Sequence, residues 1–349
     1  MADLLALTRE LVSVPSVSGE ERVLADLVEA RLRQAPWLEV ARWGDNVVAR
    51  TDLGRAERVV LAGHLDTVPG DEEPREEDGT LWGLGAADMK GGLAVMVDLA
   101  TTVPAPVCDV TYAFYACEEV ERARNGLLAL DRQFPGILGG SVAVVCEPTG
   151  CVVEAGCQGV LKATLKLSGR RSHVARPWAG RNAVHRLAPV LAAVAGWEPR
   201  RPVLDGCRFQ QSLQAVRVAG GVASNVVPPR AEVDLNYRFA PDLDVPGAVE
   251  ALGEIVGEWL ESEDSLEITD SAPAAPPSLH SPKLAELVAA SGEAVRAKLG
   301  WTDVAFFAER HVPAANFGPG DPELAHTAGE HVTRSSLERA RAVLGQVLG

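Results

Sequence analysis

The sequence predicts an α/β fold: a mainly parallel sheet flanked by helices, interrupted by an inserted α+β segment. Three observations lead there. Residues 59–63 (VVLAG), 109–116 (DVTYAFYA) and 142–146 (VAVVC) are short apolar runs without alternation, the pattern of strands covered on both faces. Helical stretches lie between them, at 91–101 and 126–132. Strand–helix–strand order implies parallel pairing, with helices on both faces. At 160–168 (VLKATLKLS) the texture changes to alternation, as in a half-exposed strand.

Taken in order, Leu4, Leu7, Leu11 and Val12 recur at helical spacing and open the chain with an amphipathic helix. Ser18-Gly19-Glu20-Glu21 has the form of a capping box, in which the Ser18 hydroxyl takes an orphan N–H and Glu21 reaches back. The helix it starts buries Leu24, Leu27, Val28 and Leu32. Beyond the alternating run, residues 182–197 are helical, and 214–219, 230–240 and 265–269 are strand candidates. The segment 270–277 (DSAPAAPP) continues neither element and reads as a linker. Residues 282–300 return to helix, and 314–318 (AANFG) form a last sheet strand. There is no internal repeat. The predicted organisation is a catalytic domain whose first part is 1–157, an inserted domain at 158–271, and the second part of the catalytic domain at 272–349.

Composition narrows the function. The chain has 349 residues, 47% hydrophobic and 23% charged, which is globular rather than disordered. Its formal net charge of −15 argues against nucleic acid or anionic lipid as a partner. No apolar run has the length of a membrane span, and the opening MADLLALTRE lacks the order of a signal peptide. Six cysteines without a C-x-x-C pair read as reduced, mostly buried thiols in a cytoplasmic protein.

The informative polar residues stand at the ends of the apolar runs. The first run leads into Gly63-His64-Leu65-Asp66, the second into Cys117-Glu118-Glu119 and the third into Glu147-Pro148. A Gly-rich loop at 83–92 delivers Asp88 just before a helix. In an open α/β sheet the carboxyl ends of parallel strands share one crevice. His64, Asp66, Asp88, Glu118, Glu119 and Glu147 are therefore expected to converge, and five of the six are carboxylates. Five carboxylates in one crevice require protons or a cation among them. A histidine in the set favours zinc over calcium, and the set is too large for one ion, so two ions sharing a carboxylate use it better. Singly, the elements have plainer explanations: Asp88 as a helix cap, the Glu118-Glu119 pair as a solvated face. The 83–92 loop lacks the nucleotide-binding patterns, and no G-x-S-x-G elbow is present.

At these residues the sequence resembles the M20 family of metallo-aminoacyl hydrolases. GHLDTVP at 63–69, GAADMKGG at 85–92, Glu118-Glu119, CEPT at 146–149 and the late His326 match its motifs in order. The closer resemblance is to the succinyl-diaminopimelate desuccinylases of the high-GC Gram-positive type, through FYACEEVERARNGL (114–127), SHVARPWAGRNAVH (172–185), GGVASNVVP (220–228) and NFGPGDPELAH (316–326). The resemblance implies a zinc-exopeptidase-like fold holding two divalent ions, zinc with cobalt as the other candidate. Asp88 would bridge them, His64 and Glu147 completing one site and Glu119 and His326 the other. Asp66 would fix the His64 ring, and Glu118 would be the general base. It also implies a cis peptide at Asp88–Met89.

The insertion resembles the family's lid and dimer interface, which makes a homodimer the expected assembly. His173 matches a histidine that reaches the partner's active site and stabilises the oxyanion. Asn225 and Arg238 match substrate contacts, with Arg176 and Thr302 as further candidates. Where the family type has Ala-His-Ser-Ala-Arg-Ser-Trp, this chain has Ser172-His173-Val174-Ala175-Arg176-Pro177-Trp178. His185, His280, His311 and His331 receive no role. The expected substrate is an N-acyl diamino acid, N-succinyl-LL-2,6-diaminopimelate, cleaved to succinate and the free diamino acid. The alternatives are sister amidohydrolases, namely acetylornithine deacetylase, N-acyl-lysine hydrolase or dipeptidase. A catalytically dead relative is disfavoured by the retention of Glu118 with all five ligand positions.

Overall fold

The computed structural model describes residues 3–349. The chain forms two compact units. The first comprises the chain up to Gly156 with Pro277–Ala297 and Thr302–Gly349; the second comprises Cys157–Pro276 and Lys298–Trp301.

The first unit is built on an eight-stranded mixed sheet. At its centre Asp109–Tyr115, Arg58–His64 and Val142–Val145 pair in parallel, in that spatial order. They are the unalternating runs, buried along nearly their whole length. Ala314–Asn316 extends the parallel side. The rest is mixed: a hairpin of Glu39–Trp43 and Asn46–Arg50 adds antiparallel strands at one edge, and Glu154–Ala155 runs antiparallel to Ala314–Asn316 near the other. Helix Gly91–Thr102 is the most enclosed element, its residues 91–100 all buried. Its Leu93, Met96 and Leu99 share one core with Leu5, Leu11, Leu24, Val28, Leu337 and Leu344 from helices Leu4–Val12, Arg22–Leu32 and Arg334–Leu348.

The second unit carries a four-stranded antiparallel sheet ordered Ser212–Gly220, Arg230–Phe239, Gly159–Ser168, Ser265–Ala272. The alternation at 160–168 is its signature. Leu161, Ala163, Leu165 and Leu167 join a core with helices Ala183–Gly196 and Val245–Val256, while Lys162 and Lys166 point to solvent and pair with Asp270 and Glu267. Asp264 ties the unit together: its oxygens accept from Arg186 at 2.8 and 2.6 Å and from the backbone N–H groups of Ser168 and Glu261 at 2.8 Å.

Several elements differ from expectation. Strand Ser265–Ala272 runs through Asp270-Ser271-Ala272, the start of the expected linker, after a register irregularity between Ile268 and Asp270. The helix expected over 282–300 stops at Ser291, because Gly292 adopts a left-handed backbone (φ 70°) and caps it. Residues 298–301 then return to the second unit, where the Leu299 carbonyl accepts from Gln158 Nε2 at 3.0 Å and Trp301 Nε1 donates to the Pro273 carbonyl at 3.1 Å. No helix among the described residues is long and apolar enough to cross a membrane. None of the six cysteines forms a disulfide among the described residues.

Gly92 shows how closely the buried helix rides on the sheet. A Cβ there would lie 2.2 Å from the Cys146 carbonyl oxygen, at the strand end that leads into Glu147. Gly92→Ala is therefore expected to lower stability by about 1–3 kcal/mol through overpacking. Gly345→Ala, with no neighbour closer than 3.6 Å in the last helix, should instead be neutral or stabilising. Thermal melts of the two variants against the parent check both signs.

Candidate metal centre

The parallel register decides what meets at the site. His64 ends its strand opposite Tyr115, so the residues after each, Asp66 and the pair Glu118-Glu119, leave the sheet side by side. Val145 lies opposite Ala62, which puts Cys146 and Glu147 at the same edge. Asp88 arrives separately, on the loop that turns into helix Gly91–Thr102. That loop needs left-handed backbone at Gly85 (φ 79°), and its Asp88–Met89 peptide is cis, as the resemblance implies. Two residues of the site region, Cys117 (φ 59°) and His326 (φ 62°), hold a left-handed backbone without being glycine. Such geometry costs on the order of 1–3 kcal/mol and persists where the surroundings impose it.

Asp88 stands between two imidazoles. Its Oδ1 lies 3.1 Å from His64 Nε2 and its Oδ2 3.5 Å from His326 Nε2. His326 Nε2 is also 2.7 Å from Glu119 Oε1. Donor atoms of His64, Asp88 and Glu119 all lie within 4.8 Å of one another. Glu147 is buried. Of the expected ligands, the structure thus gathers His64, Asp88, Glu119 and His326 by direct contact. The donor set of two ring nitrogens and several carboxylate oxygens suits a divalent metal. A carboxylate whose two oxygens face different imidazoles has the form of a bridging ligand.

The supporting contacts refine two expectations. The nearest partner of His64 Nδ1 is the Asp66 backbone carbonyl, at 2.9 Å, with the Asp66 carboxylate at 3.6 Å. That carboxylate accepts from the backbone N–H groups of Glu118 and Glu119, both at 3.0 Å, and from the Ser18 hydroxyl at 2.7 Å. Asp66 therefore clamps the Glu118-Glu119 segment more directly than it orients the ring. The Ser18–Glu21 pattern is not a capping box. Ser18 is drawn to Asp66, and Glu21 Oε1 accepts from Gly19 N at 2.8 Å and Cys117 N at 3.1 Å. Sequence reasoning also missed Asp303, buried and chelated by the Asn125 amide at 2.9 and 3.1 Å, and Glu330, which accepts from the Asp88 N–H. Neither stands at the end of an apolar run, so no local signal marked them.

The remaining candidates belong to other surroundings. Thr302 is buried in the first unit. In the second unit the 172–174 and 225–227 segments run alongside each other: His173 bridges Val226, and Val174 N donates to the Asn225 carbonyl at 3.1 Å. His173 Nδ1 accepts from Ala175 N at 3.0 Å, and His173, Arg176 and Asn225 are exposed. Arg238 is half-buried, its Nε donating to Asn236 Oδ1 at 3.2 Å, and it has no ion-pair partner among the described residues.

The carboxylates around both imidazoles favour their protonated forms. Hydrogen bonds to Asp88 and Glu119 push His326 up to about 10. Burial works against the charged form of His64, yet its contacts with Asp66 and Asp88 hold it well above the usual histidine range. Burial, reinforced by Glu147, Asp303 and Glu119 against the pull of His64, raises Glu118 well above the usual carboxylate range. Since both histidines are protonated below their raised pKa values, a metal bound by them would have to displace those protons. Divalent-ion affinity of the metal-free protein is thus expected to rise with pH between 6 and 8. Calorimetry in buffers of different ionisation enthalpy should show release of about one proton per histidine.

The motifs that build this site lie within residues 60–349, which match the model of peptidase family M20/M25/M40. The chain is 47% identical over 350 residues to a putative succinyl-diaminopimelate desuccinylase of Mycobacterium tuberculosis, covering 99% of this chain and 98% of that one. It is 41% identical over 358 residues to a succinyl-diaminopimelate desuccinylase of Corynebacterium glutamicum, covering 100% and 96%. Among solved structures, aminopeptidase PepT of Bacillus cereus shares the fold with a TM-score of 0.82 at 19% identity, over 99% of this chain and 97% of that one. A dinuclear metal-binding M20 peptidase of Bacillus subtilis shares it with a TM-score of 0.71 at 16% identity, over 99% and 96%. With family match, full-length relatives and a clustered His/carboxylate donor set in agreement, the chain belongs to peptidase family M20/M25/M40 and is a divalent-metal-dependent amidohydrolase.

Proposed function

We propose that this chain hydrolyses the succinyl amide of N-succinyl-LL-2,6-diaminopimelate, releasing succinate and LL-2,6-diaminopimelate. The observation that carries the chemistry is Asp88 shared between His64 and His326, with the Glu118 backbone held by Asp66. The substrate rests on the two full-length relatives named as succinyl-diaminopimelate desuccinylases. In this reading His64 and Glu147 would hold one divalent ion and Glu119 and His326 another, zinc or cobalt, with Asp88 available to both. When bound, such ions supply the positive charge that this carboxylate cluster lacks, acidify water and polarise the amide carbonyl.

The chain's own residues do the rest. Glu118 takes a proton from the attacking water as its oxygen bonds to the amide carbon, then delivers that proton to the amine as the C–N bond breaks. Asp66 keeps Glu118 in place through the two backbone N–H groups it accepts. His173 donates to the oxyanion, reaching the site of the partner subunit in a homodimer formed through the second unit. Asn225, Thr302 and Arg176 contact the substrate. Arg238 receives the terminal succinyl carboxylate: a half-buried guanidinium without an ion-pair partner among the described residues is suited to a bidentate carboxylate. We place the enzyme in the cytoplasm, consistent with the absence of a disulfide among the described residues.

Two experiments test this. Glu118→Gln should lower kcat by about 10²–10⁴-fold while metal content measured by elemental analysis stays at the parent level; surviving turnover would remove Glu118 from the role of base. On a panel of N-succinyl and N-acetyl diamino acids, the parent should prefer the succinyl substrate. Arg238→Ala should cut kcat/KM for it by about 10–100-fold, the worth of one charge-assisted contact, with little change on acetyl analogues. Preference for an acetyl substrate such as acetylornithine would assign the chain to a sister amidohydrolase.

A further inference from the structure

Glu330 lies outside the ligand set, yet it touches both of the chain segments that bring Asp88 and His326 together. Its side chain is buried, 3% exposed. Its Oε1 accepts from two consecutive backbone N–H groups, those of Ala87 and Asp88, both at 2.9 Å. Its backbone carbonyl accepts from Gly83 N at 3.1 Å, at the start of the same loop. Its own N–H donates to the Thr327 carbonyl at 3.1 Å, closing the turn beyond His326. One residue therefore fastens the Asp88 loop at its beginning and at Asp88 itself, and sits one turn beyond His326. Immediately after it, His331–Thr333 pairs with Thr80–Trp82, which leads into that loop from the other side.

We propose that Glu330 is a positioning residue for the metal centre, setting the orientation in which Asp88 presents one oxygen to His64 and the other to His326. This rests on the two-ion reading of the site. The geometric reason is that the peptide plane preceding Asp88 is fixed by the N–H bonds it makes, and the direction of the Asp88 side chain is set by its backbone. Two buried N–H groups left without an acceptor would seek another partner, and the loop would turn with them. A carboxylate serves both because one oxygen can accept twice. The amide oxygen of glutamine could do the same without charge.

The test uses the full-length protein stripped of metal with a chelator and titrated with zinc by calorimetry. A parallel set is loaded with cobalt and monitored by electronic absorption. The parent should take up two ions. Glu330→Ala should weaken at least one of them by about 10–100-fold and alter the cobalt spectrum, the size of effect known for residues that orient metal ligands. Glu330→Gln should stay within about threefold of the parent, since it keeps the acceptor. If the alanine variant does not fold, Glu330→Asp reports instead. It keeps the charge but withdraws the oxygens by about one bond length, 1.5 Å, and should lose at least about tenfold in affinity.

Folded Glu330→Ala or Glu330→Asp binding two ions with parental affinity and spectrum would overturn the proposal. So would a glutamine variant as impaired as the alanine one, which would make charge rather than position the operative property. A parent that takes up no second ion would instead overturn the two-ion reading beneath it, and the two failures are told apart by that first titration.

Discussion

A carboxylate withdrawn from water must find positive charge or a proton, and Asp88 draws it from two sides. Burial disfavours its charge, but contacts with His326 and His64 hold it well below the usual carboxylate range. Every other feature of the site can be read from that demand. The three parallel strand ends bring His64, the Glu118-Glu119 pair and Glu147 to one edge of the sheet. The glycine loop and its cis peptide bring Asp88 in from a different direction. The cluster that results is a surplus of acid stabilised by two imidazoles. Those carboxylate contacts favour the protonated imidazoles, so under the proposed ligand assignment metal and proton would compete for the same positions.

Two thiols flank this cluster without joining it. Burial pushes the Cys146 thiol far up, with the neighbouring Glu147 adding to it. Cys117 is pushed up to about 11 by burial and by Glu21. Burial is the main cause in both. The atoms in contact with the Asp88 carboxylate are the ring nitrogens of His64 and His326, so the placement of residues sets the donor chemistry there.

Much of the architecture is legible in the sequence because its signals are local. Unalternating runs at 59–63 and 142–146 are strands buried on both faces, and the alternation at 160–168 marks a sheet with one wet face. His64, Asp66, Glu118, Glu119 and Glu147 are legible because each stands at or just past the end of such a run, where a parallel strand delivers its next residues to the crevice. His326 is not: no apolar run precedes it, and only the family resemblance points to it. The features that stay hidden depend on distant partners. Ser18 and Glu21 have the spacing of a helix cap, but Asp66 and the Cys117 N–H are better partners than the helix end. Asp270-Ser271-Ala272 looks like linker because prolines come next, yet pairing with Lys162, Leu161 and Val160 holds it in the sheet. The hairpin at 39–50 and the helix Val245–Val256 carry ordinary patterns that are easily passed over beside stronger ones.

The return of Lys298–Trp301 to the second unit changes how this protein can be taken apart. The chain passes between units at four places, after Gly156, Pro276, Ala297 and Trp301, where a simple insertion would need two. Excising 157–276 would strand a four-residue tether whose Trp301 indole has lost its Pro273 acceptor and whose Leu299 carbonyl has lost Gln158. The smaller unit expressed alone would lack those same anchors. Modular exchange of this region with a homologue, or circular permutation across it, has to transplant the short tether along with the long segment.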